Sequence, residues 1–161
     1  MSATADMIAP EHFRTVLGHL PTGVTVVTAD HVTGPVGMCC NSVTSVSLDP
    51  PLVAFCTARS SSTWRAIRSA GRCCINVMGR HHESTARRFA GPWDRRFADL
   101  AVHQRPGGPA LDDAVAWIDG SVHAVHEAGD HFIVVAAVTS LEARQDAEPL
   151  VFFRGAFGGL S

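Results

Sequence analysis

Two long β-patterned runs, Val115 to His126 and His131 to Leu141, flank the turn Glu127-Ala128-Gly129-Asp130, and this arrangement constrains the fold more than any other feature. Runs of branched and apolar residues broken by a short Gly-containing turn predict an antiparallel hairpin. The rest of the chain supplies partners for it. Gly23 to Ala29, Val36 to Cys40, Val43 to Leu48, Leu52 to Thr57, Cys73 to Met78 and Leu150 to Phe153 are each rich in strand formers. Short helices interrupt them. Pro10 opens the first, in which Phe13, Val16, Leu17 and Leu20 recur at helical spacing before Pro21. A second begins in Ser60-Ser61-Ser62-Thr63 and stops at Gly71, and a third spans His82 to Ala90 before Gly91-Pro92. Residues 92–113, with five prolines and glycines, read as loop, and the chain after Phe153 as a glycine-rich tail.

The expected total is six to eight strands with two or three helices. Strands that do not alternate regularly with helices argue against a doubly wound parallel sheet. The expectation is a mainly β fold with short helices, a closed antiparallel barrel with helical insertions. At 161 residues there is room for one domain. Residues 1–11 read as a flexible lead-in and 12–161 as that domain.

Charged residues make up only 17% of the chain against 46% apolar, which suggests that a partner or ligand covers some surface. Net charge is -2 and no Lys/Arg run occurs, so nucleic acid is excluded as the main partner, since phosphate binding needs a concentrated basic face. The longest apolar stretches, such as Leu52 to Cys56 and Phe132 to Val138, fall far short of the roughly 20 residues of a membrane span. Met1 to Pro10 lacks a basic region followed by an apolar one, so no signal peptide is expected. Five cysteines, in part as the neighbours Cys39-Cys40 and Cys73-Cys74, make a poor disulfide framework, because neighbours on a strand face opposite ways. A reduced, cytoplasmic thiol set is the simpler reading. The same alternation argues against a metal at His81-His82 or at the paired cysteines, and no zinc-type spacing is present.

The Ser60 to Thr63 cluster carries chemistry. At a helix start, free backbone N–H groups, hydroxyls and the positive end of the helix dipole converge into a site for a phosphate, with Arg59 adding charge. Taken alone, the same residues read more readily as ordinary serine capping.

The cluster does not stand alone. Pro21-Thr22-Gly23-Val24-Thr25-Val26-Val27-Thr28, the Gly37-Met38-x-x-Asn41-Ser42 strand and Ser45-Val46-Ser47-Leu48-Asp49-Pro50-Pro51-Leu52-Val53 precede it. Ala86-Arg87-Arg88-Phe89-Ala90-Gly91 with Arg96-Phe97, and then Gly129-Asp130-His131, follow it. In order and spacing these motifs resemble the short-chain flavin reductases, the reductase components of two-component flavin-dependent monooxygenases, over nearly the whole chain.

The resemblance implies an FMN-binding split β-barrel of Greek-key antiparallel type. It also implies a homodimer with flavin along one barrel edge near the subunit interface. The implied activity is hydride transfer from NADH or NADPH to FMN or FAD, which leaves reduced for a partner monooxygenase. By position, Met38, Cys39, Cys40, Asn41 and Ser42 would line the isoalloxazine and ribityl chain, and Thr57 and Ala58 would continue that wall. Ser61, Ser62 and Thr63 would hold the phosphate, and Phe89, Ala90 and Gly91 would close the far side. His131 would orient the nicotinamide by donating to its carboxamide, with no protein acid or base required. Cys39-Cys40 departs from the family, which more often has Thr and a small residue there, and a thiol is the weaker donor.

No Gly-x-Gly-x-x-Gly fingerprint provides a separate dinucleotide fold. Tyrosine is absent, so the partners considered for an adenine are Phe152, Phe153, Phe157 and Trp64. Two rival functions share the barrel: a non-catalytic flavin-binding or sensory protein, and an oxidase of the pyridoxamine-phosphate type.

Overall fold

The computed structural model describes residues 7–160. Of the expected lead-in, residues 1–6 lie outside the described residues, while Pro10 and Glu11 already belong to helix α1 (Pro10–Leu17). Strands β1 (Thr22–Gly23), β2 (Thr25–His31), β3 (Gly34–Cys40), β4 (Thr44–Leu48) and β5 (Pro51–Ala58) follow, then α2 (Ser62–Ala70) and β6 (Arg72–Val77). A 3-10 turn at Arg80–His82 leads into α3 (Glu83–Ala90), and a second at Trp93–Arg95 precedes β7 (Val102–Arg105) and β8 (Gly108–Leu111). The long hairpin is β9 (Ala116–Ala128) and β10 (His131–Ala143), and the chain closes with β11 (Val151–Phe153) and β12 (Ala156–Gly158). No helix among the described residues is long and apolar enough to cross a membrane.

The predicted hairpin forms the spine of a seven-stranded sheet ordered β3-β2-β6-β9-β10-β5-β4, antiparallel at every pairing. Its neighbours are mostly distant in sequence, β2 beside β6 and β5 beside β10. Register shifts between Val135 and Ala136 and between Val138 and Ser140 bend the hairpin, as bulges do. The expected closed barrel is instead a split one, since no ladder joins β3 to β4 or β5. Just before β4 begins, the backbone N–H of Cys56 donates to Ser42 Oγ (2.8 Å), and Ser42 Oγ also donates to Cys56 O (3.3 Å). A side chain there takes the groups that a closing ladder would need.

Alternation along β2 divides the core in two. Val24 and Val26 face α3 (Ala86, Phe89), the β8 residues Ala110 and Leu111, and Trp117. Val27 and Ala29 face Phe55, Ile75, Val134 and the α2 residues Trp64 and Ile67. Cys39 and Cys40 fall on opposite sides of this division, as do Cys74 and Cys73, and all five cysteines are free.

Residues 92–113 are not simply loop. β7 and β8 pair as a hairpin, and β8 is wholly buried. Its anchors are polar and long-range. Asn76 donates through Nδ2 to Val26 O (2.9 Å) and accepts through Oδ1 from Leu111 N (2.8 Å). Asp119, with no exposed surface, accepts from Gly107 N and from Arg105 Nε, each at 3.0 Å. The glycine-rich tail is likewise ordered, pairing β12 with β11 and β11 with β1. Strands among the described residues therefore number twelve rather than six to eight, because very short strands carry too little periodicity to be read from sequence.

Candidate functional site

β3 is an edge strand, and its outward backbone groups have no ladder partner. Along one of its faces run Gly37, Cys39 and, just past the strand, Asn41. Gly37 sits directly on α3: a Cβ there would lie 2.8 Å from the Phe89 ring. This contact sets the depth of a cleft of about 470 Å³ between β3 and the end of α3, lined by Cys39, Asn41, Ala90, Gly91, Phe152 and Phe157. Its size falls within the range of small-molecule sites. Burial, and secondarily the neighbouring Cys40, pushes the Cys39 thiol up to about 11, so it stays protonated at neutral pH and acts only as a weak donor.

The remaining expected residues of the strand turn the other way. Met38 and Cys40 are buried in the second core cluster, where Thr57 Oγ1 donates to Met38 Sδ at 3.7 Å. Cys40 Sγ lies 3.1 Å from Ser42 Oγ. Phe89 is buried beneath the cleft as its support rather than in its lining.

At the start of α2 both sequence readings apply, to different residues. Ser61 caps the helix, its Oγ accepting from Trp64 N at 3.1 Å, and its backbone N–H donates to Ala58 O. Ser62 and Thr63 line a second cleft of about 240 Å³ with Gly37, His31, Trp93 and Arg96.

The cation at this cluster is Arg96, which the residue-level reading did not single out. Its Nη1 donates to Thr63 Oγ1 (2.8 Å) and to Gly37 O (2.7 Å), and its Nε and Nη2 donate to Gly91 O (3.1 and 2.8 Å). One guanidinium thus ties α2, β3 and the end of α3 together. No carboxylate pairs with it among the described residues. Burial pulls its pKa below the ordinary value, yet a guanidinium stays charged at neutral pH. Arg59, expected to supply this charge, turns instead to Glu127 (3.4 Å) and the Phe132 ring. The only sequence signal for Arg96 was its place in the Arg96-Phe97 motif.

His131 opens β10 opposite Ala58 and is half-exposed. Its Nδ1 lies 2.7 Å from Asp130 Oδ1, and this hydrogen bond holds the Asp130 carboxyl below its usual range. Nδ1 therefore carries a proton, which leaves Nε2 of the neutral ring as an acceptor.

His81 and His82 do not face apart as a strand would require. The 3-10 turn brings their rings to 3.9 Å, and Asp113 joins them with ligand atoms all within 4.8 Å. However, His82 Nδ1 accepts from Gly79 N at 3.0 Å, so Nε2 bears the proton and neither nitrogen offers a free lone pair to an ion. Burial first, and then His81, lowers the His82 pKa and keeps the ring in this neutral form.

Two clefts, one beside a free strand edge and one lined by helix-start hydroxyls and by Arg96, a cation with no acidic partner among the described residues, suit an anionic ligand with a flat heterocycle. Residues 17–161 match the family model described as "Flavin reductase like domain". A flavin reductase of Pseudomonas putida is 44% identical over 156 residues, covering 96% of this chain and 92% of that one. The reductase subunit HsaB of a flavin-dependent monooxygenase from Rhodococcus jostii is 39% identical, with 99% and 82% covered. Among solved structures, the Streptomyces globisporus NADH:FAD oxidoreductase superposes with a TM-score of 0.90 at 31% identity, covering 98% of each chain.

Proposed function

The chain belongs to the flavin reductase family as an NAD(P)H-dependent flavin reductase that supplies reduced flavin to a monooxygenase, and on that premise we propose how its residues hold flavin and nicotinamide. Relatives named as reductases favour this activity over a non-catalytic flavin-binding protein or an oxidase of the pyridoxamine-phosphate type.

The flavin ring lies in the larger cleft, between Cys39 and Asn41 on the β3 edge and Ala90-Gly91 at the end of α3. Free main-chain groups of β3 meet its polar edge. Ser62, Thr63 and Arg96 hold the phosphate. The observation that carries this reading is Arg96, a part-buried cation with no acidic partner, bonded to both walls of the cleft and to Thr63. Met38, Cys40, Ser42, Thr57 and Ala58 support the site from behind, and Ser61 shapes it by capping α2.

Bound flavin and reduced nicotinamide supply the hydride chemistry themselves. The protein's part is to stack and orient the two rings. Asp130 fixes the His131 ring, and Nε2 accepts from the carboxamide N–H of the nicotinamide. His131→Ala removes one neutral hydrogen bond, so kcat/KM for the reduced nicotinamide should fall by about threefold to tenfold with flavin affinity unchanged. Steady-state rates over the four pairings of FMN or FAD with NADH or NADPH, run for wild type and this variant, test the assignment. The name of the Streptomyces globisporus relative makes FAD with NADH the first pairing to try. Selective loss of flavin binding, or no change in any rate, would remove His131 from the site.

The working unit is a homodimer. α1 has no buried residue, leaving Phe13, Val16 and Leu17 exposed together with Leu20, and the edge strand β4 exposes Val46 and Leu48. Apolar groups at this density on one small chain suit a second copy. Light scattering at micromolar protein with flavin present should give twice the chain mass, and a monomer would refute the dimer. Five free thiols suit a reducing, cytoplasmic setting.

A further inference from the structure

We propose that His82 is a positioning residue for the flavin cleft. Its neutral ring locks the turn to which the cleft walls are tied, and a proton taken up on Nδ1 unlocks that turn and weakens flavin binding. The inference rests on the flavin site proposed above and adds a control to it.

The lock is reciprocal. His82 N donates to Gly79 O at 2.9 Å, and Gly79 N donates back to His82 Nδ1 at 3.0 Å, so backbone and ring close the turn from both sides. Three parts of the larger cleft converge on it. Met78 N donates to the carbonyl of Val24, a cleft residue, at 2.9 Å. On the other edge Leu150 N donates to Met78 O and Arg80 N to Glu148 O, each at 2.9 Å, and Gly79 pairs with Pro149. These bonds set the approach to β11 and its cleft residue Phe152. From His82 itself springs α3, whose buried Ala86 and Phe89 fix the helix that carries Ala90 and Gly91 to the cleft.

Protonation reverses one contact. An imidazolium carries a proton on both nitrogens, so Nδ1 would meet the buried Gly79 N–H donor to donor and that amide would lose its acceptor. Charged groups surround the ring. His81 stacks on it with centroids 3.9 Å apart, Arg144 follows β10 and Asp113 precedes β9. Arg80 and Glu83 adjoin it in sequence but are engaged by Glu148 at 3.0 Å and by Arg87 at 2.9 Å. Of the groups that act on the ring only Asp113 favours the cation, and burial, with His81 and Arg144, outweighs it and lowers the pKa from its ordinary 6.5. The cation would also sit at the positive end of the α3 dipole. A cleft of about 670 Å³ lined by His81, Asp113 and Arg144 brings water to this group and gives the proton a way in.

Because the folded pKa is depressed, the unfolded chain binds more protons below about pH 6.5. The stability that His82 contributes is complete above that value and is lost on acidification. Molecules with the turn released do not bind flavin, so apparent affinity falls with the competent fraction.

The test compares FMN dissociation constants between about pH 8 and pH 5.5 for wild type, His82→Gln and His81→Gln. Glutamine offers Oε1 to Gly79 N and does not titrate. On acidification wild type and His81→Gln should lose about threefold to tenfold more affinity than His82→Gln, the value of one hydrogen bond. The FMN phosphate titrates alike in all three and cancels. By reciprocity FMN must lower the His82 pKa, which a ring NMR titration of wild type with and without FMN reads directly. A parallel loss in all three proteins, a difference that follows His81 instead, or a His82 pKa that FMN leaves unmoved overturns the inference. Failure of wild type to bind FMN at any pH would instead overturn the underlying flavin site.

Discussion

Gly107→Ala should lower the melting temperature by about 6–20 °C, the largest stability effect expected from a single added methyl group in this chain. A Cβ at this position would lie 2.1 Å from Cys73 O and 2.9 Å from Asp119 Oδ1. Neither can retreat. Cys73 is paired with Gly120 inside the sheet, and Asp119 is fully buried between Gly107 N and Arg105. The β7–β8 hairpin must therefore lift, which separates Asp119 from both its partners and uncovers Ala110 and Leu111. Removing a partner from a buried charge costs about 3–5 kcal/mol, and each kcal/mol shifts the midpoint by about 2–4 °C in a chain of this size. Gly23→Ala is the control, since a methyl there meets nothing within 4 Å. Calorimetric melts of the two variants should differ sharply. A Gly107→Ala midpoint equal to that of Gly23→Ala would mean that the hairpin is not held by this contact.

The second large effect concerns ligand affinity. Replacing Ser62 by Ala and Thr63 by Val together should weaken FMN and FAD binding by about 150-fold, while riboflavin, which has no phosphate, should bind nearly as before. Each hydrogen bond to a charged group contributes about 1.5–3 kcal/mol, and two that share one phosphate are less than additive, so about 3 kcal/mol is the expected total. Thr63 accepts from Arg96 through Oγ1, which leaves its own hydroxyl proton free to donate to a phosphate. Its loss therefore removes a donor to phosphate and also a partner that orients the guanidinium. The change should leave the fold intact, because Ser61 rather than Ser62 caps α2 and Val matches Thr in volume. Titrations of the three flavins, with Thr63→Ser as the rescuing variant, read the result directly. Equal weakening of all three would show that the cluster serves the helix alone.

Much of the frame could be read from residue order. The β9–β10 hairpin showed itself because 13-residue strands carry enough alternation and their turn holds Gly129. The helices showed themselves through Pro10, the Ser61 cap and Gly91, local signals that act within one turn of chain. The opposed cysteines followed from strand geometry alone. The motif order also carried the family and the hydroxyls of the α2 start.

Other features depend on groups that sequence holds far apart. The β7–β8 hairpin is held in place because Asn76 bonds Leu111 N and Asp119 bonds Arg105 and the turn residue Gly107, and burial makes those bonds decisive. The barrel is split because the Ser42 side chain occupies the backbone of Cys56. Arg96 reaches Thr63 across 33 positions, and Arg59, adjacent to the cluster in sequence, reaches Glu127 instead. Local sequence determines which dihedral angles and faces a segment prefers, so it settled the strands, the helix starts and the alternation of side chains. Which charge meets which hydroxyl depends on distances between elements, and those exist only once the sheet has curled and the two cores have packed.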